Sequence, residues 1–328
     1  MKALQIASFG KPSEVVELAE LPDPNPAAGE LLVALEAAPI NPSDLLLVRG
    51  TYGIRPALPA RLGNEGVGRV VEVGAGVDPA RVGERVLLLP GGQVQNTWAE
   101  RAVVADRDAV TVDGSADPLQ LAMIGVNPMT ARLVLSDYSE LKADAWVVQN
   151  SANSAVGRYL VDLARLAGLR TINIVRREEA AEQLRADGVP NVLVSGPDLV
   201  DQVGALLGGE QLGLVVDALG GSQAGELSAL LRPGGKVVAY SALTGQPHTL
   251  PVPALIFRDI SLHGFWLHTW LTSAPRTVIE NGYRELARLV ADGTLSAPVE
   301  ASYPIDQYRD AISRSDRFRR AGKILFAF

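Results

Sequence analysis

The chain has 328 residues, 47% of them hydrophobic, with 37 Asp and Glu against 30 Lys and Arg, a formal net charge of −7. That length and apolar content are enough for two domains with separate cores, while the acidic balance excludes nonspecific binding to nucleic acid, which rests on Lys and Arg. Cysteine is absent, which excludes disulfides, a thiolate nucleophile and cysteine-ligated zinc.

The opening residues Met1–Ile6 read as a strand and lack the apolar core of a secretory signal, and no apolar run approaches the roughly 18 residues of a membrane span. A cytoplasmic protein with no membrane partner is expected. From Met1 to about Asp113, short runs of Val, Leu and Ala, such as Leu31–Leu35, Gly68–Val73 and Arg85–Leu89, are separated by Gly, Pro and Asp at close spacing. This texture predicts a β-rich domain with frequent turns. After about Ala116 it changes to strands of four to six residues followed by longer helical patterns, the signature of βαβ units and a parallel, doubly wound sheet. The strands are predicted at Trp146–Gln149, Thr171–Val175, Val192–Val194, Leu214–Asp217, Lys236–Tyr240 and Ile260–Gly264. Beyond Ser273 come helices near Thr277–Ala291 and Asp306–Ser313 and a last strand at Lys323–Phe326, a tail expected to return to the first domain. The domains are thus expected at residues 1–125, 126–265 and 266–328, and the fold class is α/β.

Between the strand Trp146–Gln149 and a helix over Arg158–Ala167 lies Asn150-Ser151-Ala152-Asn153-Ser154-Ala155-Val156-Gly157. A dinucleotide fold places its phosphate turn here, because a pyrophosphate needs backbone N–H groups at a helix N-terminus and small side chains that permit approach. Only Gly157 remains of the usual glycines, and an ordinary strand-to-helix turn would read the same way. The next strand, Thr171–Val175, ends in Arg176-Arg177 where an NAD-specific fold carries an acidic residue for the ribose 2′-OH. Guanidinium groups there suit a 2′-phosphate by charge and bidentate geometry, so NADPH is the expected cofactor; a solvated arginine pair at a strand end is the alternative.

The segments Pro39-Ile40-Asn41-Pro42-Ser43-Asp44, Arg49-Gly50-Thr51-Tyr52-Gly53-Ile54-Arg55-Pro56, Gly63-Asn64-Glu65-Gly66-Val67-Gly68, Gly125-Val126-Asn127-Pro128-Met129-Thr130-Ala131 and Gly264-Phe265-Trp266-Leu267 together resemble the medium-chain dehydrogenase/reductase superfamily. Within it the likeness is to zinc-free 2-enoyl thioester reductases of the mitochondrial type, and it spans almost the whole chain. The resemblance implies a Rossmann domain joined to a GroES-like catalytic domain, and a Tyr in a Gly-Thr-Tyr element, here Tyr52, as the catalytic proton or hydrogen-bond donor. The alternative for Tyr52 is a ring that packs its loop. The resemblance also implies that Asn41, Asn127 and Thr130 serve the cofactor, the last two at the nicotinamide ribose, while Asn153, Ser154, Ala155, Val156 and Gly157 meet the pyrophosphate. Tyr240, Ser241, Ala242 and Leu243 would border the cofactor, as would Phe265, Trp266 and Leu267, and Lys323 would close its phosphate end. Plain core packing is the alternative for the aromatic group. Two departures stand out, Gly53 where these enzymes tend to have Pro and Ala155 in place of a loop Gly.

The zinc-dependent members carry His before the Glu of the Gly-x-Glu segment, whereas Asn64 stands here, and an amide is a poor substitute for imidazole. No metal is expected, and His248, His263 and His268 read as satisfied residues rather than ligands. Without a metal, the carbonyl must be polarised by hydrogen bonds, which suits hydride addition to an activated alkene. The expected activity is NADPH-dependent reduction of 2-enoyl thioesters carried on CoA or a carrier protein; a quinone or enone reductase, or a noncatalytic NADPH-binding protein, are the alternatives. Arg314, Arg317, Arg319 and Arg320, or Arg49, Arg55 and Arg61, are candidate contacts for an anionic carrier, with a solvated charged face as the alternative. A homodimer is expected.

Overall fold

Apolar runs punctuated by Gly, Pro and Asp become strands, and a computed structural model of the chain, which describes residues 1–90, 96–317 and 319–328, places them as follows. In chain order they are β1 (Lys2–Ile6), β2 (Val16–Glu20), β3 (Glu30–Pro39), β4 (Ala60–Arg61), β5 (Gly66–Val73), β6 (Arg85–Leu88), β7 (Arg101–Ala105) and β8 (Ala109–Thr111). They continue with β9 (Trp146–Gln149), β10 (Arg170–Val175), β11 (Val192–Val194), β12 (Leu212–Asp217), β13 (Leu231–Ala239), β14 (Ser261–Gly264), β15 (Val299–Tyr303) and β16 (Lys323–Ala327). The chain divides into two units, one made of Met1–Met129 with Leu267–Phe328, the other of Thr130–Trp266.

In the discontinuous unit, β2, β1 and β4 form a small antiparallel sheet, and a larger one runs β15-β16-β3-β5-β6-β8, with β7 also paired to β3. Its core includes Leu4, Ile40, Leu45, Leu62, Trp98 and Phe326. The rings of Trp98 and Phe326 meet edge to face with centroids 5.5 Å apart, and a fully buried ring of this kind contributes about 3–5 kcal/mol. The late strand β16 pairs antiparallel with β3 (Phe326 opposite Ala38) and parallel with β15, so it lies between them inside the larger sheet.

The contiguous unit is a six-stranded sheet in the order β11-β10-β9-β12-β13-β14, parallel at every pair. This is the doubly wound arrangement, with strand order reversing between β9 and β12. Strands covered on both faces are apolar along their whole length, and β9 and β12 are buried at every residue. The observed β13 starts at Leu231, earlier than the Lys236 expected, because Leu212 pairs with Leu231 across an irregular register in β12. Likewise the helix after β9 spans Ala155–Leu166 rather than starting at Arg158, because Ser154 caps it. The tail helices occupy Arg276–Ala291 and Tyr308–Ser315. Among the described residues no helix is long and apolar enough to cross a membrane.

Candidate active site

In a parallel sheet, ligands meet the loops that leave the carboxyl ends of the strands, above all where strand order reverses. The expected cofactor residues of the contiguous unit, Thr130 apart, fall on such loops or the helix starts they lead into: Asn153 and Ser154 after β9 with Ala155, Val156 and Gly157 opening the next helix, Arg176 and Arg177 after β10, Tyr240 to Leu243 after β13, and Phe265 and Trp266 after β14. Thr130 is buried in the helix Asn127–Ser136.

The turn after β9 leaves backbone donors at a helix start without an acceptor among the described residues. Ser151 takes φ +51°, Ser154 caps the helix by accepting from the Gly157 N–H at 3.1 Å, and none of the described residues accepts from the N–H groups of Ala155 and Val156. Those two donors stand at the positive end of a twelve-residue helix. A Cβ on Gly157 would sit 2.6 Å from the Ala152 carbonyl oxygen, so only glycine lets the first turn of the helix pack this closely on the loop that precedes it. Beneath the turn, Gln149 donates to the Gly157 carbonyl (2.9 Å) and to Asn173 Oδ1 (2.8 Å), pinning helix to strand.

Arg176 is exposed and pairs with none of the described residues, while Arg177 is half-buried with its Nε 3.9 Å from Glu179. Phe265 is buried with its ring edge-on to Tyr138 at 6.2 Å, and Trp266 is exposed, as are Ala242 and Leu243. Burial pushes the Tyr240 phenol up to about 12, against the pull of nearby Ser154. These residues fit a dinucleotide phosphate: free N–H donors, a close glycine approach and an uncommitted guanidinium at the end of β10. Sequence reading missed Asp217, fully buried at the end of β12, which accepts from Asn150 and from the Gly220 N–H (2.8 Å) and so holds the loop at the switch point.

In the discontinuous unit, Pro42 opens the helix Pro42–Val48, and the Asp44 carboxylate accepts from the Asn41 N–H at 2.7 Å, closing its first turn. The segment that follows carries Tyr52, half-buried and packed against the core around Leu45 and Trp98. Asn64 donates its amide to Asp44 at 2.8 Å. Burial pushes the Asp44 carboxyl up to about 6, against the pull of these donors and of Lys323.

Lys323 is 6% exposed and donates to Asn41 Oδ1, with the buried carboxylates Glu65 and Asp44 close by. Burial depresses the Lys323 ammonium, and Glu65 holds it up. Leu267 is also buried in this unit. Of the candidate carrier contacts, Arg49 pairs with Asp316 at 2.5 Å, Arg314 pairs with Glu300, Arg55 lies over the Phe9 ring, Arg61 and Arg320 are half-buried, and Arg317 and Arg319 are exposed.

Residues 27–114 match the alcohol dehydrogenase GroES-like domain and residues 155–287 match the zinc-binding dehydrogenase family. The mitochondrial enoyl-[acyl-carrier-protein] reductase of Bos taurus is 34% identical over 320 residues, covering 96% of this chain and 85% of that protein. The chain belongs to the medium-chain dehydrogenase/reductases, among the enoyl-[acyl-carrier-protein] reductases. Its fold matches a Bacillus thuringiensis structure named for NADPH:quinone reduction, with TM-score 0.92 and 27% identity over 100% of this chain and 98% of that one. It also matches the Candida tropicalis 2-enoyl thioester reductase Etr1p/Etr2p heterodimer, with TM-score 0.84 and 25% identity over 100% and 99%.

The zinc-binding family name makes metal content a sharp test. Among the described residues no three His, Asp or Glu side chains gather to hold an ion, and Asn64 is engaged as a donor. Activity is therefore expected to survive prolonged EDTA treatment, with far less than one zinc per chain by elemental analysis; loss of activity on chelation, restored by zinc, would contradict this reading.

Proposed function

We propose that this chain reduces the α,β double bond of 2-enoyl thioesters, on CoA or a carrier protein, with NADPH. The observation that carries the proposal is the 34% identity, over 96% of the chain, to proteins named for enoyl-carrier reduction. NADPH, when bound, supplies the hydride that adds to the β-carbon. The chain's own residues do the rest. The N–H groups of Ala155 and Val156 receive the pyrophosphate, Arg176 and Arg177 the 2′-phosphate, and Asn127 and Thr130 the nicotinamide ribose. As hydride adds, negative charge grows on the thioester oxygen, and the Tyr52 hydroxyl donates to that oxygen or delivers the proton to the α-carbon.

A quinone reductase is the second reading, favoured by the fold match to the Bacillus thuringiensis protein. Crotonyl-CoA and a simple quinone, each with NADPH and followed by loss of the reduced nicotinamide absorbance, separate the two. Turnover of crotonyl-CoA is the expected result; turnover of the quinone alone would move the assignment, and inertness toward both would favour a noncatalytic NADPH-binding protein. The same reading takes the protein as a cytoplasmic homodimer, checked by cell fractionation and sedimentation. The Etr1p/Etr2p heterodimer supports a two-chain assembly, whereas the relatives' names place those proteins in mitochondria.

A further inference from the structure

A buried ion pair is seldom kept for stability, because desolvation of both charges offsets most of their attraction. The discontinuous unit nonetheless buries Glu65, just ahead of β5, at 1% exposure and Lys323, on β16, at 6%, with the side chain of Asn41 between them. Asn41 Nδ2 donates to Glu65 Oε1 at 2.6 Å, and its Oδ1 accepts from the Lys323 ammonium. A carboxylate on one side and an ammonium on the other leave the Asn41 amide a single orientation, since only the oxygen can accept and only the nitrogen can donate.

That orientation is passed on. Asn41 Oδ1 also accepts from Asn127 Nδ2 at 3.2 Å, which commits the Asn127 nitrogen inward and leaves its Oδ1 without a donor among the described residues. Glu65 acts on the same turn through its other oxygen: Oε2 accepts from the Val126 N–H at 2.8 Å, just ahead of the helix Asn127–Ser136. A carboxylate is favoured there by the helix dipole. The approach is so close that a Cβ on Gly125 would come within 2.8 Å of that oxygen. Tyr283 completes the anchor by donating to the Gly125 carbonyl at 2.7 Å.

We infer that Glu65 and Lys323 are positioning residues for the proposed reaction, acting through Asn41 to aim the Asn127 carbonyl oxygen as the acceptor for a ribose hydroxyl of the nicotinamide cofactor. The inference rests on the reading that this helix turn meets the nicotinamide ribose. Lys323 does not touch the phosphates in this account; its charge fixes an amide. If Asn41 turned over, Asn127 would present its NH2 group instead and offer the hydroxyl no acceptor.

The test uses Glu65→Gln, Lys323→Met and the double variant, measuring NADPH affinity by nicotinamide fluorescence, kcat and KM with crotonyl-CoA, and thermal melting. Each single variant strands one buried charge and should melt earlier. The double variant removes both members of the pair, with Asp44 still held by the Asn41 N–H and the Asn64 amide, and should recover most of the melting temperature, yet bind NADPH roughly ten- to a hundredfold more weakly, because the amide relay is no longer aimed by charge. A merely structural pair predicts the opposite: a stable double variant with wild-type NADPH affinity and kcat, which would overturn the inference. Should the single variants fail to fold, the double variant alone decides. If wild type binds NADPH but does not reduce crotonyl-CoA, the functional proposal falls, while the affinity comparison still judges the positioning role.

Discussion

Tyr52→Phe should lower turnover of crotonyl-CoA by about 10²–10³, the usual loss when one preorganised donor or proton source is removed from a reacting oxygen. The substitution keeps the ring that packs against the core of its unit and deletes only the hydroxyl. This distinguishes the two roles open to a half-buried tyrosine. A ring that serves only to seat its loop predicts near-normal turnover in Tyr52→Phe and a loss of stability in Tyr52→Ala. Steady-state kinetics with saturating NADPH, alongside melting curves of both variants, give the answer. Turnover of Tyr52→Phe within twofold of wild type would remove Tyr52 from the chemistry.

NADPH should bind about ten- to a hundredfold more tightly than NADH, and the variant Arg176→Ala with Arg177→Ala should lose that margin by weakening NADPH alone. A charged hydrogen bond contributes about 1.5–3 kcal/mol, which sets this range. Arg176 is uncommitted among the described residues, and the Glu179 carboxylate stands 3.9 Å from Arg177 on the surface, too weak a partner to hold it. Both guanidinium groups are therefore available to a 2′-phosphate, and because they face solvent the preference should shrink as salt is raised. Titrating both cofactors into wild type and the double variant checks this; equal dissociation constants in the wild type would withdraw the assignment of these two residues.

The parts of the molecule that chemistry fixes locally were legible in the chain. Parallel strands buried on both faces announce themselves as apolar runs, so β9 to β12 fall close to where their residues place them. Arg176 and Arg177 follow their strand directly, so knowing the strand places them. Helix starts were less legible: Gly157 reads as turn, yet the capping oxygen of Ser154 carries the helix back to Ala155. Least legible were buried polar groups that meet only in three dimensions. Asn41 and Lys323 are 282 positions apart, and nothing around Lys323, in an ordinary apolar strand, marks it as the counterion of Glu65. Asp217 likewise reads as the polar end of a strand until Asn150 and Gly220 are seen around it.

The place of β16 has a consequence for how the protein is made. Since β3 and β15 meet only through it, the larger sheet of the discontinuous unit cannot close until Lys323–Ala327 has left the ribosome. At about 5–20 residues per second, close to two hundred residues and roughly 10–40 s of synthesis separate Met129 from that strand. The contiguous Thr130–Trp266 segment is complete before then and can fold first. During this interval the flank of β3 that awaits β16 is an unpaired row of backbone donors and acceptors beside apolar side chains, a surface to which a chaperone would bind and at which crowded nascent chains would aggregate.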